Sequence, residues 1–251
     1  MEAQHPLKGT FVADLRVGER VVAFFLVRGK QLEPFRDRSK GEYLTLVLAD
    51  RSGQVLARVW EGAPELAENF VEGDVVKVAA DVEEYLGRTQ LIVQKLRQAE
   101  ADEYDLADFL PATQKNVGEM LADVQAALDG IQNPHLTALV RHFYEAPDFR
   151  DRLAQAPAAR RVHHAYLGGL LEHLTEMLAL SSTVLTLYPE INADLLRTGV
   201  LLQEVGRLRE YSWSGDIDYT DEGRLLGDIV LGDEQVARAI AQIPGFPEEL
   251  A

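Results

Sequence analysis

The chain has 251 residues, 47% hydrophobic and 26% charged, enough to bury one large core or two modest ones. It has no cysteine, which excludes disulfides and thiolate metal sites and leaves His, Asp, Glu and water as metal donors. No run approaches the ~20 apolar residues of a spanning helix, and MEAQHPLKGT lacks a signal-peptide apolar core, so a soluble, cytoplasmic chain with no membrane partner is expected. The net charge of −16 is unevenly held. Residues 1–100 carry 14 Lys and Arg against 16 Asp and Glu, a net of −2; the remainder carries 11 against 25, a net of −14. Between Arg28 and Arg58 there are seven basic residues (Arg28, Lys30, Arg36, Arg38, Lys40, Arg51, Arg58) and four acidic ones, so any polyanionic partner belongs to the first part of the chain.

The first hundred residues read as strands broken by turn chemistry. Arg20–Val27 is a β-branched and aromatic run, and Glu42–Asp50 alternates Leu44, Leu46 and Leu48 on one face with Tyr43, Thr45 and Val47 on the other. Asp50-Arg-Ser-Gly53 is a turn, and Gln54–Trp60 returns as the partner strand of a hairpin. Pro64–Phe70 has short-helix spacing and stops at Gly73; strands at Val75–Glu83 and Thr89–Leu96 follow, joined by a tight turn at Tyr85-Leu-Gly-Arg88. Three strands, a helix and two strands is the order of a five-stranded OB-fold β-barrel, which binds oligomers across its second and third strands and the neighbouring loops.

Single-strand binding requires aromatic planes for bases and cations for phosphates. Tyr43, Arg58 and Trp60 lie on or beside the central hairpin, Phe35, Arg36, Arg38 and Lys40 precede it, and Tyr85 and Arg88 flank the last turn. Trp60, at a strand end, reads equally as a core lid or a stacking platform. The loop Gly29–Gly41, with Lys30, Arg36, Arg38, Lys40 and Phe35, is the strongest functional feature, because a long charged loop beside a binding face more often carries function than a core does.

After the acidic stretch Glu100–Asp108 the texture turns helical. Val117–Leu128 has i, i+3, i+4 apolar spacing, and Asn133-Pro134 reads as an N-cap and first helical residue of a helix to about Tyr144. Further helices are expected at His164–Tyr188, Asn192–Tyr211 and, with interruptions, Asp221–Ile243. On a continuous helix His163 and His164 lie well round the cylinder from His173, so these histidines are not expected to converge on a metal, and His173 among Leu170, Leu171, Leu174 and Met177 reads as a core residue.

Tyr43–Trp60, Gly87–Leu91, His163-His164, Gly168-Gly-Leu-Leu-Glu-His173 and Tyr219–Gly227, in this order, resemble the YhaM family of 3′-to-5′ exoribonucleases over residues 15–245. That resemblance implies an OB-fold joined to an HD-type metal-dependent phosphohydrolase domain. The expected architecture is a multi-domain α and β chain: an N-terminal five-stranded OB-fold barrel at 1–100, an acidic linker at 101–112 and an all-α HD-type helical domain at 113–251.

The resemblance also implies a divalent-metal site, in which His173 matches the first ligand. Gln203-Glu204 stands where the family has His-Asp, Arg207 replaces a Lys, and Asp228 replaces a His. Further family ligands lie beyond the position of Ala251 and are expected to be missing. Gln203 offers only an amide oxygen and Glu204 is one methylene longer than Asp, so a two-ion centre is not expected. The hard-donor alternative is a weak Mn²⁺ or Mg²⁺ site at His173, Glu204 and Asp228. The structural alternative is a Glu204–Arg207 pair at i+3, with Gln203 and His173 hydrogen-bonded in a pocket without catalysis.

The functional expectation is a single-stranded RNA- or DNA-binding protein related to that family, with the hydrolytic centre lost and no tightly held cofactor. An active Mn²⁺-dependent 3′-to-5′ exoribonuclease with a rearranged site is the first alternative. A protein-interaction module is the second, and a homo-oligomer is compatible with all three.

Overall fold

The computed structural model describes residues 8–250, which fall into two compact units, one reaching Pro111 and including Ser214–Asp216, the other formed by Ala112–Trp213 and the chain from Ile217 onward. Among the described residues no helix is long and apolar enough to cross a membrane.

The first unit is a closed barrel of β1 (Arg20–Pro34), β2 (Glu42–Asp50), β3 (Gly53–Val59), β4 (Val75–Tyr85) and β5 (Arg88–Gln98), with α1 (Ala63–Ala67) between β3 and β4. The strand order is β1-β2-β3-β5-β4, closed by β4 against β1; β3 pairs in parallel with β5 and every other pair is antiparallel. The period-2 pattern of β2 sets this up: Leu44, Leu46 and Leu48 are all at 0% exposure, while Tyr43, Thr45 and Val47 face outward. Burying each such leucine stabilises the barrel by about 1.5–3 kcal/mol.

β1 differs from the expectation. It does not stop at Val27 but runs on to Pro34, pairing Gly29 with Val47 and Pro34 with Glu42 after a bulge between Val27 and Gly29. Gly29 is therefore a bulge glycine inside a strand, and the connecting loop shortens to residues 35–41. The acidic stretch after β5 is likewise no free linker. Glu103 accepts two hydrogen bonds of 2.6 Å from Arg97, the Arg51 N–H donates to the Asp108 carbonyl at 2.9 Å, and Phe109 and Leu110 are buried. The Arg97 guanidinium pushes the Glu103 carboxyl down to about 2.

The second unit comprises α2 (Val117–Asp129), α3 (Pro134–Tyr144), α4 (Phe149–Gln155), α5 (Gly169–Leu187), α6 (Ala193–Leu202), α7 (Arg207–Glu210), a two-stranded ribbon of β6 (Tyr211–Ser212) and β7 (Asp218–Tyr219), and α8 (Asp221–Gln242). Asn133 caps α3 as its sequence position predicts, accepting from the N–H groups of His135 and Leu136, and Asn192 caps α6 through Leu195. Leu136, Val140, Leu170, Leu171, Leu174 and Leu201 form the core.

Two helices are shorter than their periodicity suggests. α5 begins at Gly169 rather than His164, and α6 ends at Leu202, with the chain turning before α7. α8 carries its interruption at Gly227, whose φ of 74° and ψ of 165° are not helical.

Candidate functional site

In the barrel unit an open cleft of about 590 Å³ is lined by Pro34, Phe35, Arg36, Asp37, Lys40, Tyr43, Arg58, Trp60, Tyr85 and Gln90. Strand alternation builds its floor. Tyr43 precedes buried Leu44, and Arg58, opposite Thr45, lies between buried Ala57 and Val59, so both side chains point outward. The rings of Phe35, Tyr43 and Trp60 touch one another, with centroid separations of 5.1 Å (Phe35–Tyr43), 5.0 Å (Tyr43–Trp60) and 5.8 Å (Phe35–Trp60). The Arg58 guanidinium lies 5.4 Å from the Tyr43 ring and 5.6 Å from the Trp60 ring, within cation–π range. Trp60 is 40% exposed and Tyr85 is 59% exposed, so Trp60 is a surface plane and not a core lid.

The loop is held by its own chain. Asp37 accepts from the Ser39 N–H (3.1 Å) and hydroxyl (2.7 Å), and the Phe35 N–H donates to the Gly41 carbonyl at 3.1 Å. These bonds from Ser39 hold the Asp37 carboxyl below the usual range.

Of the nine residues singled out in the sequence for this face, seven line the cleft. Arg38, in the 3₁₀ turn Arg38–Lys40, and Arg88, at the start of β5, are exposed but do not line it. Lys30 belongs elsewhere: its ammonium donates to the carbonyls of Ala67 and Phe70 and lies 4.8 Å from the Phe70 ring centroid, closing the end of α1. Sequence reasoning missed Gln90 and also Glu33, which accepts from the Thr45 hydroxyl at 2.8 Å and lies 4.0 Å from Arg58. Hydrogen bonds from Thr45 and Tyr43 hold the Glu33 carboxyl below its usual range. Its signal was the alternation of β1, hidden by ending that strand at Val27.

In the helical unit the Glu204–Arg207 pair forms as the i+3 spacing predicts, and the guanidinium reaches further, to Glu210 at 3.3 Å and Asp228 at 3.1 Å. Arg207 thus pairs with both Glu204 and Asp228, two of the three residues of the hard-donor alternative. Burial pulls the guanidinium pKa down, but Glu204 and Asp228 outweigh it and leave it raised. Burial and neighbouring Asp228 push the Glu210 carboxyl up against the pull of Arg207. Gly206 permits the arrangement, since a Cβ there would lie 2.0 Å from the Asp228 carbonyl oxygen. Gln203 is exposed, just past the end of α6, and not bonded to His173.

The histidines reverse the expectation drawn from a continuous helix. Because α5 starts at Gly169, residues 163 and 164 lie in a loop that folds back, and donor atoms of His163, His164 and His173 all lie within 4.8 Å of one another. His173 Nε2 is 3.7 Å from Glu204 Oε1. Burial pulls the His173 imidazole below its usual range; Glu204 opposes this, and His164, His163 and Arg207 add to the lowering. The clue was Gly168-Gly169, where the helix starts, five residues after His164.

The barrel and its cleft define an OB-fold module of the class that presents an aromatic and basic face, joined to a helical domain. A family profile described as "OB-fold nucleic acid binding domain" matches residues 26–99. The chain is 33% identical over 236 residues to the 3′-5′ exoribonuclease YhaM of Shouchella clausii (strain KSM-K16), covering 94% of this chain and 73% of that protein. It belongs to the YhaM family. Among solved structures, a replication protein A domain from Methanococcus maripaludis is 22% identical, with a TM-score of 0.31 over 36% of this chain and 94% of that one. Asparaginyl-tRNA synthetase from Pyrococcus horikoshii is 13% identical, with a TM-score of 0.30 over 80% of this chain and 59% of that one.

Proposed function

We propose that this chain binds single-stranded nucleic acid in the barrel cleft and that its helical domain does not hold the two-ion hydrolytic centre of an HD phosphohydrolase. The observation that carries the first half is the contiguous Phe35, Tyr43 and Trp60 surface with Arg58 over two of its rings. Bases stack on such planes with about 1–3 kcal/mol each, tolerant of sequence because every base has a π-face. Arg36 and Lys40, exposed on the same cleft, supply cations for the phosphates. The OB-fold profile and the relative named an exoribonuclease support a polynucleotide strand as the occupant, RNA before DNA.

Arg207 supports the second half. A two-ion centre needs donors that clamp both metals so that attacking and leaving oxygens are stabilised together. In this chain the Glu204 and Asp228 carboxylates turn to one guanidinium and Gln203 is exposed, so a fixed cation already answers the charge a hard metal ion would meet. These residues do not fit that centre.

Two assays test the reading. Fluorescence anisotropy with a labelled oligoribonucleotide at low salt is expected to show saturable binding that weakens steeply as salt rises; absence of binding to any oligonucleotide refutes the first half. Incubation of a 5′-labelled oligomer with Mn²⁺ is expected to leave it intact. Shortening that vanishes in His173→Ala refutes the second half and makes the chain an exoribonuclease with a rearranged site.

A further inference from the structure

We propose that Glu33 is a positioning residue of the strand-binding cleft: from β1 it ties the Tyr43 ring and the Arg58 guanidinium to one carboxylate, so that the stacking surface stands formed before a strand arrives. This deepens the proposed function and rests on it.

Register puts four side chains on one outer face of three strands. Glu33 on β1 is the cross-strand partner of Tyr43 on β2. Thr45, two residues further along β2 and so on the same face, is the partner of Arg58 on β3. The Glu33 carboxylate accepts from the Thr45 hydroxyl at 2.8 Å and from the Tyr43 hydroxyl, and its Oε2 lies 4.0 Å from the Arg58 guanidinium. That guanidinium lies 5.4 Å from the Tyr43 ring and 5.6 Å from the Trp60 ring. One acid thus holds a ring by its hydroxyl and the cation beside that ring. Glu33 itself does not line the cleft, so any effect on a bound base passes through Tyr43 and Arg58.

Two effects of Glu33 on binding have opposite signs. Hydrogen bonds from Thr45 and then Tyr43, helped by Arg58, hold its carboxyl below the usual range, so it is an anion at neutral pH. An anion near a face that takes phosphates repels them through space, so by charge alone Glu33 weakens binding. As a hydrogen-bond acceptor it strengthens binding, because side chains already oriented lose less freedom when a strand docks. The ion pair with Arg58 is long and both side chains are partly exposed, so it is weak. Arg58 can therefore turn to a phosphate while Tyr43 stays held.

The test titrates the full-length protein with a labelled oligoribonucleotide by fluorescence anisotropy, with a melting curve beside each titration to report folding. Glu33→Gln drops the charge and keeps a carbonyl oxygen for the two hydroxyls; Glu33→Ala drops both. Glu33→Gln is expected to bind at least as tightly as wild type. Glu33→Ala is expected to bind about 2- to 10-fold more weakly than Glu33→Gln, the usual net worth of a hydrogen bond. Tyr43→Phe should weaken binding by a similar factor in the wild-type background and not in Glu33→Ala, because both changes break the same link. Equal affinities in Glu33→Gln and Glu33→Ala leave Glu33 only its charge and overturn the proposal. An equal loss from Tyr43→Phe in both backgrounds also overturns it, since the hydroxyl then acts without Glu33. Tyr43→Phe removes only a hydroxyl and serves if Glu33→Ala fails to fold; full affinity in that variant overturns the proposal by itself. Wild-type protein that binds no oligonucleotide overturns the proposed function, and this role with it.

Discussion

Replacing Trp60 by alanine removes one of three contiguous planes from the cleft and one of the two rings under Arg58. Base stacking on an aromatic side chain is worth about 1–3 kcal/mol, and each ~1.4 kcal/mol is tenfold in affinity, so Trp60→Ala should weaken oligoribonucleotide binding about 5- to 150-fold. The salt dependence should not move, because no charge leaves the cleft. The fold should survive, since Trp60 is 40% exposed and the barrel core of Leu44, Leu46 and Leu48 is untouched. What the free protein loses is two ring contacts, each worth about 0.5–1.5 kcal/mol, a shift of a few degrees in melting temperature. Anisotropy titrations at several salt concentrations, beside thermal melts followed by circular dichroism, separate the terms. A variant that binds as tightly as wild type, or one whose salt slope changes with its affinity, refutes the assignment of Trp60 as a base platform.

Arg58→Met keeps a stem of similar size and removes the charge over Tyr43 and Trp60; affinity should fall and the slope of log affinity against log salt should flatten by about 0.7 if Arg58 neutralises one phosphate of a single strand. Asp50 is 2.6 Å from Lys8, and both side chains are almost wholly buried, so Asp50→Asn strands an ammonium in the barrel and should cost about 3–5 kcal/mol in denaturant unfolding. Burial raises the Asp50 carboxyl, but hydrogen bonds from Lys8, Ser52 and Val12 outweigh it and leave the pKa depressed. Its contribution is whole above the unfolded carboxylate value of about 3.9 and is lost as pH falls through the lower folded value, so the acid limb of the stability curve should be shallower in Asp50→Asn. Gly206→Ala places a Cβ 2.0 Å from the Asp228 carbonyl oxygen and should destabilise the helical domain by about 1–3 kcal/mol, an effect absent from Gly199→Ala, where the space is open.

The barrel was legible because its signals are local. Leu44, Leu46 and Leu48 alternate in the sequence and are buried as alternation requires, and Asn133-Pro134 starts a helix where its chemistry says it should. The errors fall where distant contacts decide. Gly29 looks like a loop glycine until Val47 pairs with it across the bulge. His164–Gly169 continues the apolar period of α5, and only the carbonyl of His164 packed against Gly169 shows that the helix cannot extend through it. The Glu204–Arg207 pair is local and was readable; the approach of Asp228 depends on Gly206 meeting a segment more than twenty residues away, which no local pattern records.

In the helical unit the carboxylates and the imidazoles have different partners. Glu204, Glu210 and Asp228, the oxygen donors that suit Mg²⁺ or Mn²⁺, are engaged by Arg207, a cation that does not dissociate. The imidazoles next to them have other partners: His164 meets the Tyr166 hydroxyl and Glu176. The two sets meet at His173 and Glu204, 3.7 Å apart, so a charge change at either is felt by the other. Charge is unevenly held along the chain: residues beyond 100 carry a net of −14 and residues 1–100 a net of −2, so on the proposed reading phosphates favour the barrel cleft. A strand bound as proposed is expected to be confined by charge to the face where Tyr43, Arg58 and Trp60 stand.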